Sequence, residues 1–188
     1  AGVFGPDPYI INGDQWDGYP FERQHFYDII MADTLENVVV LTGDIHTAWS
    51  NDLPKPGYSS SNRNLSYGVE FVAPSVTSGN ELPALITAPV ITGIAPNVRY
   101  VELVLHGYYV LDVNTQRAQA DFIYVSGTTT QTFTTTDNNH WCVNDGAVSL
   151  NACTFSSVPQ NTYPALAPSV YTTGIKNVTD NITTISMY

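Results

Sequence analysis

Apolar residues along this chain fall into a few short blocks, and each block predicts one structural element. Apolar side chains recur every three to four residues between Pro20 and Asp33, which predicts a helix. Positions 38–42 read Val-Val-Val-Leu-Thr, which predicts a strand buried on both faces. A second apolar strand is predicted over 69–73, and a β-hairpin over 107–113 and 118–125.

The stretches between these blocks are polar or interrupted by proline and glycine. Residues 51–63 are polar and rich in Pro, Gly and Ser, which predicts a surface loop. Three prolines and one glycine interrupt residues 81–96, which predicts irregular structure or a short helix. Apolar and polar positions alternate in part over residues 98–105. From residue 126 the composition turns to Thr, Asn and Ser. We therefore predict a second region over 126–188, either a β appendage or a long arm.

The overall composition argues against several classes of function. The 188 residues suffice for one domain with or without an appendage, and a hydrophobic share of 43% supports a sizeable core. Seventeen acidic residues against six basic ones give a formal net charge of −11. This charge argues against nucleic-acid binding, which needs clustered Lys and Arg, and against adhesion to anionic membranes. No apolar run approaches the roughly 20 residues that span a bilayer.

Two cysteines and three sequons point outside the cytoplasm. Cys142 and Cys153 enclose ten residues of a polar, Asn-rich loop, which favours a disulfide and an oxidising compartment. The alternative is two free thiols in a cytosolic chain. Glycosylation acceptor motifs begin at Asn64, Asn177 and Asn181, and they favour an extracellular, periplasmic or cell-surface location.

Candidate chemistry gathers in polar loops at the ends of the predicted elements. Asp44 and His46 follow the strand 38–42, where ligands bind in open α/β sheets, so they can converge on a metal ion or a phosphate. The alternative is a turn Asp beside a hydrogen-bonded His. Arg23 can grip two phosphate oxygens, unless it is a helix-surface arginine paired with solvent or an Asp. The other candidates for lining the pocket or ordering its loops are Asn12, Asp14, Trp16, Asp17, Tyr19 and Trp49. His25, His106 and His140 have no ligand partner at a suggestive spacing.

Four strings in these regions resemble one known family. They are N-x-D-Q-W-D-G-Y-P-x-x-R (ending at Arg23), L-T-G-D-I-H-x-x-W, V-E-F-V-x-x-S-V-T-S-G and H-G-Y-Y-V-L-D-V (residues 106–113). Their order and spacing resemble the C-terminal part of the PhoD-like alkaline phosphatases, a branch of the calcineurin-like metallophosphoesterases. The resemblance covers about residues 5–125. It implies an α/β, β-rich fold over 1–125: part of a β-sandwich flanked by helices, followed by a disulfide-containing β or irregular tail.

The resemblance also implies a reaction. Asp44 and His46 would be metal ligands and catalytic residues, with iron and calcium as the expected metals. The metals would activate a water that attacks a phosphate mono- or diester. Apart from Asp44-Ile45-His46 in the late motif, the sequence has no Asp-x-His, and it has neither the family's early Gly-Asn-His-(Asp/Glu) motif nor an upstream Cys ligand.

This chain is therefore expected to supply the late half of the site. An N-terminal companion chain or fragment would complete it, and this chain would be inactive alone. A second hypothesis is a non-catalytic structural or binding subunit of an extracellular assembly, derived from a phosphatase fold. Its Thr-rich arm would add to a neighbour's sheet edge. A third is an unrelated secreted β-rich binding module.

Overall fold

The computed structural model describes residues 14–79 and 87–155, which form two helices and eight strands. A 3₁₀ turn over Trp16–Gly18 precedes the first helix. The helices are α1 (Pro20–Ala32) and α2 (Ala88–Ile94). The strands are β1 (Val39–Thr42), β2 (Ala48–Pro54), β3 (Ser66–Val72), β4 (Val98–Glu102), β5 (His106–Val113), β6 (Arg117–Val125), β7 (Thr135–Asn144) and β8 (Asn151–Ala152). The expected β-rich α/β class is confirmed.

Two four-stranded sheets pack face to face as a sandwich. The first sheet has the order β1-β3-β2-β4, with β1 and β3 parallel and the other pairs antiparallel. The second has the order β5-β6-β7-β8 and is antiparallel throughout. Their shared core consists of Ala48, Val69 and Phe71 from the first sheet and Ala118, Ala120, Phe122, Tyr124, Val143 and Leu150 from the second sheet and the loop before β8. This confirms the sandwich expected from the resemblance.

Polar groups also join the two sheets. The hydroxyl of Tyr100 on β4 lies 2.7 Å from that of Tyr124 on β6. Burial raises the pKa of Tyr100 to about 12, so both hydroxyls stay protonated and can share this hydrogen bond at neutral pH.

Both helices cover the outer face of the first sheet. Tyr27 and Ile30 of α1 pack on Leu53 of β2, while Ile91 of α2 packs with Trp49. The first sheet is therefore the middle layer, between the helices and the second sheet. The helix predicted over 20–33, the strand near 69–73 and the β5–β6 hairpin are confirmed to within a few residues at each end. Helix α2 is the short helix that the proline-rich stretch allowed.

Strand β1 is not buried on both faces as the apolar run predicted. Within the part of the chain that the structure describes, β1 pairs with β3 alone and lies at the edge of the first sheet. Leu41 is 52% exposed. An apolar run indicates that a strand can be buried, but the tertiary structure decides how many other strands pair with it.

The prediction of a surface loop over 51–63 is wrong for its first four residues. Asn51–Pro54 form the second half of β2, which lies inside the first sheet and is buried along its whole length. Three of the four polar atoms in the Asn51 and Asp52 side chains are hydrogen-bonded, which makes their burial tolerable. Asn51 Nδ2 donates to Glu70 over 2.9 Å, and the Asp52 carboxylate accepts bonds from Tyr58 and the Leu150 amide. The prediction from local polarity failed because Glu70 and the Leu150 amide, which lie outside this stretch, bind the buried side chains.

The chain beyond residue 126 continues the second sheet. Strand β7 pairs with β6 along most of its length, and it belongs to the same compact unit as the first sheet. The predicted disulfide is confirmed: it joins Cys142 on β7 to Cys153, just beyond β8. None of the helices in the described part is long and apolar enough to cross a membrane.

Candidate metal and phosphate site

The loop that follows β1 has an unusual backbone. Asp44 and His46 have φ angles of 73° and 63°, in the left-handed region that side chains with a Cβ rarely adopt. Each such residue costs on the order of 1 kcal/mol or more, so the surrounding structure must hold it there. Between them, the Ile45 amide donates to the Gly43 carbonyl over 2.9 Å. The strained loop leaves Asp44 exposed at the carboxyl end of β1.

A pocket of about 210 Å³ opens beside this loop. Four residues predicted from the sequence line it together: Asp14, Trp16, Asp44 and Trp49. The remaining lining comes from Gln15, Thr42, Gly43, Ile45, Asn51, Glu70 and Val72. Residues far apart in sequence meet here because β1, β2 and β3 are neighbours in the first sheet.

The pocket contains a buried polar group that sequence reasoning missed. Glu70 on β3 accepts hydrogen bonds from Thr42 Oγ1 at 3.0 Å and from Asn51 Nδ2 at 2.9 Å. Asn51 is 2% exposed, and its Oδ1 has no hydrogen-bond partner within the described ranges. The available signal was Glu70 itself, a charged residue inside the apolar run 69–73.

The donor chemistry of this pocket fits a cation. Among the described residues, its lining carries three carboxylates, Asp14, Asp44 and Glu70, and no Lys, Arg or His. This charge attracts a cation and repels a free phosphate until positive charge is supplied. The buried Asn51 Oδ1 adds an acceptor, and oxygen donors of this kind suit a hard cation such as Ca²⁺. In the residues that the structure describes, however, no three His, Cys, Asp or Glu side chains lie close enough to hold a metal ion.

His46 lies next to the pocket-lining loop, with one ring nitrogen already engaged. Its Nδ1 is 3.0 Å from the carbonyl oxygen of Gly79. A carbonyl can only accept, so Nδ1 carries the proton and Nε2 of the neutral ring keeps its lone pair. Metal-binding histidines use this arrangement, because a backbone carbonyl fixes both the tautomer and the ring orientation.

The other predicted site residues lie elsewhere. Arg23 donates to the buried Asp17 carboxylate over 2.7 Å, and neither residue lines the pocket. Tyr19 is exposed and does not line it either. Trp49, by contrast, lines the pocket; it is buried, and its Nε1 donates to Thr47. Asn12 lies outside the described residues.

The three sequons have different positions relative to the structure. Asn64 is exposed in the turn before β3, so its side chain can be reached from solvent. Asn177 and Asn181 lie outside the described residues.

A β-sandwich with an Asp-x-His loop at the end of a strand is the architecture that the sequence resemblance predicted. A family model for PhoD-like phosphatases matches residues 5–122, and the chain therefore belongs to the PhoD-like phosphatase family. This confirms the family predicted from the sequence motifs.

Two individual relatives agree with this assignment. Alkaline phosphatase D of Bacillus subtilis (strain 168) is 43% identical over 70 residues, which is 37% of this chain and 12% of that protein. A solved structure titled "Structure of PhoD" matches 78% of this chain and 28% of its own, with a TM-score of 0.59 and 22% identity, a likeness that shows the fold. The chain thus spans well under a third of the length of either relative.

Proposed function

We propose that this chain supplies part of a metal-dependent phosphoesterase centre that hydrolyses phosphate mono- or diesters. The observation that carries the proposal is the strained Asp44–His46 loop at the rim of an acidic pocket, with the His46 Nε2 lone pair left available. Membership of the PhoD-like phosphatase family supports the same reaction class.

Asp44 and His46 are the proposed metal ligands and catalytic residues. Carboxylate oxygens suit calcium and an imidazole nitrogen suits iron, so these two metals fit the donors. When bound, such metals supply positive charge for the phosphate and lower the pKa of a coordinated water. Asp14, Trp16 and Trp49 form the wall against which the ester would lie.

The proposed centre needs a companion, which would be the N-terminal part of the phosphatase as a separate chain or as another segment. Two donors are fewer than the four to eight that structural metal ions take. Strand β1 supports the same idea, since Leu41 is half exposed at the sheet edge, beside a groove of about 420 Å³ that also includes Val39 and Val113. Apolar surface on a strand of this kind is normally covered.

Two further proposals concern location and organisation. The Cys142–Cys153 disulfide supports an extracellular, periplasmic or cell-surface protein, and the exposed Asn64 is available for glycosylation. We also propose that the phosphatase part covers 1–125 and the appendage 126–188. The family match, which ends at residue 122, supports this division.

The test uses the protein isolated from its native source. Intact-mass analysis shows whether a companion fragment accompanies the 20.5 kDa chain. Elemental analysis then measures iron and calcium, and hydrolysis of 4-nitrophenyl phosphate and bis(4-nitrophenyl) phosphate is followed with and without chelator. We expect near-stoichiometric metal and chelator-sensitive hydrolysis by the complex, and none by the chain alone.

Matched variants test whether Asp44 and His46 are needed for metal binding and hydrolysis. Asp44→Asn and His46→Gln should each lower metal content and hydrolysis at least about 10-fold. Asp28→Asn changes an exposed carboxylate on α1 and should leave both unchanged. A metal-free native protein that hydrolyses neither ester would reject the proposal and favour the non-catalytic subunit.

A further inference from the structure

One short turn, residues 75–79, contacts two histidines from different parts of the chain. Its Gly79 carbonyl lies 3.0 Å from Nδ1 of His46. The preceding carbonyl, that of Ser78, lies 3.1 Å from Nε2 of His106, the first residue of β5. Because both partners are carbonyls, the two neutral rings carry their protons on opposite nitrogens.

The turn is held at both of its ends. Ser75 Oγ donates to the Ser78 carbonyl over 2.6 Å, so that oxygen accepts from Ser75 and His106 together. The Gly107 amide donates to the Ser75 carbonyl over 3.0 Å. Among the described residues, a Cβ added at Gly79 would meet nothing within 4 Å, so this end of the turn is held by hydrogen bonds to the Ser78 and Gly79 carbonyls.

We propose that His106 and Ser75 are positioning residues for His46. Through the Ser78 carbonyl they fix the peptide that leads into Gly79, and the Gly79 carbonyl holds the His46 ring with Nδ1 protonated and the lone pair on Nε2. The purpose of this arrangement, presenting Nε2 to a metal, rests on the proposed function. The tautomer itself does not depend on any metal.

The proposal differs from a purely structural role for His106. A structural hydrogen bond would tie β5 to the turn, and its loss would lower stability without changing the protonation pattern of a different histidine. A positioning role requires the His46 tautomer to respond when His106 or Ser75 changes, although the hydrogen bonds described for these two residues go to the Ser78 carbonyl and not to the His46 ring.

Nitrogen NMR on the full chain measures the tautomer directly. The chain has four histidines, so ¹⁵N-histidine labelling gives four ring systems that single substitutions assign. At pH 8, above the ordinary imidazole pKa of about 6.5, wild-type His46 should show a protonated Nδ1 and an unprotonated Nε2. His106→Phe and Ser75→Ala should each move both His46 signals toward a tautomer average.

Two further variants separate positioning from disruption. His106→Gln keeps an N–H donor for the Ser78 carbonyl and should restore the wild-type His46 signals. His25→Phe, which changes a histidine 69% exposed on α1, should leave them in place. If His106→Phe unfolds the chain, Ser75→Ala, which removes only a hydroxyl, still tests whether the His46 tautomer responds. Unchanged His46 signals in every folded variant would overturn the proposal.

A cobalt titration separates this inference from the proposed function. Binding of Co²⁺ to the metal-depleted native protein, in which the companion completes the centre, is followed by its absorption bands, and His106→Phe should weaken it about 10- to 100-fold, with recovery in His106→Gln. If Co²⁺ fails to bind the wild-type protein with its companion while the His46 tautomer still responds to the variants, the proposed metal role fails and the positioning role stands.

Discussion

Replacing Asp52 by alanine probes the buried strand that carries two of the pocket residues. Asp52 lies within β2 between Asn51 and Leu53, and it is 0% exposed. Its carboxylate accepts a hydrogen bond from the Tyr58 hydroxyl at 2.6 Å and another from the Leu150 amide at 2.7 Å. The second bond crosses to the loop before β8, so the side chain links the first sheet to the second.

The size of the effect follows from these partners. Each hydrogen bond to a charged group contributes about 1.5–3 kcal/mol, and a buried amide left without a partner adds its desolvation cost. The Tyr58 hydroxyl is half-buried and recovers part of its loss from water. We therefore expect Asp52→Ala to lower the free energy of unfolding by about 3–5 kcal/mol, which lowers Tm by about 10 °C or more.

Urea denaturation followed by tryptophan fluorescence measures this change. Asp52→Asn keeps the shape and one acceptor oxygen, so it should cost less than Asp52→Ala. Asp28→Ala, which alters an exposed carboxylate bonded to Gln24, should cost less than about 0.5 kcal/mol. A loss below about 1 kcal/mol for Asp52→Ala would refute the reasoning, because the buried Leu150 amide would then have no need of this carboxylate.

The same residue makes stability depend on pH in a defined direction. Burial raises the pKa of Asp52 above its ordinary value of 3.8, against the lowering effect of its hydrogen bonds. A carboxyl whose folded pKa is raised stabilises the fold below 3.8 and loses that contribution as the pH rises through the folded pKa. The stability of the wild type relative to Asp52→Asn should therefore decrease from about pH 4 upward. An increase over that range would contradict this assignment.

Three further substitutions have expected outcomes. Arg23→Gln leaves the Asp17 carboxylate buried without its cation and should cost about 2–4 kcal/mol in urea denaturation, while the metal content of the native protein stays unchanged. Cys142→Ser should lower the free energy of unfolding by about 3 kcal/mol, and reductant should reproduce that loss in the wild type but not in the variant. Gly107→Ala places a methyl group against the Ile123 carbonyl of the paired strand; a cost of about 2–3 kcal/mol is expected, and a neutral result in thermal unfolding would show that the strand can shift.

The part of the site that follows from local sequence was predictable. Asp44 and His46 come directly after an apolar run, so their position at a strand end needed no tertiary information. The helix from Pro20 was equally readable, because its periodicity lies within one segment. The cysteine pair could also be read from a short spacing. Each of these features depends on residues close together in the chain.

The buried polar side chains of β2 could not be predicted in this way. Asn51 and Asp52 belong to a stretch whose composition is that of a loop, yet both are buried, with Asn51 Nδ2 bonded to Glu70 and the Asp52 carboxylate bonded to Tyr58 and Leu150. These partners lie up to 98 residues away along the chain. Burial of a polar side chain depends on whether its hydrogen bonds are met, and that is decided only when the strands assemble.

Sequence alone therefore determined the family, the class of fold and the Asp-x-His loop after β1. Only the tertiary structure decided that β1 lies at a sheet edge and that Arg23 forms an ion pair with Asp17. It also brought His106 and His46 to successive carbonyls of one turn. The physical reason is that hydrophobic periodicity and turn chemistry act over a few residues. Strand order, ion pairing and the protonated nitrogen of a histidine depend on groups that meet only in the folded chain.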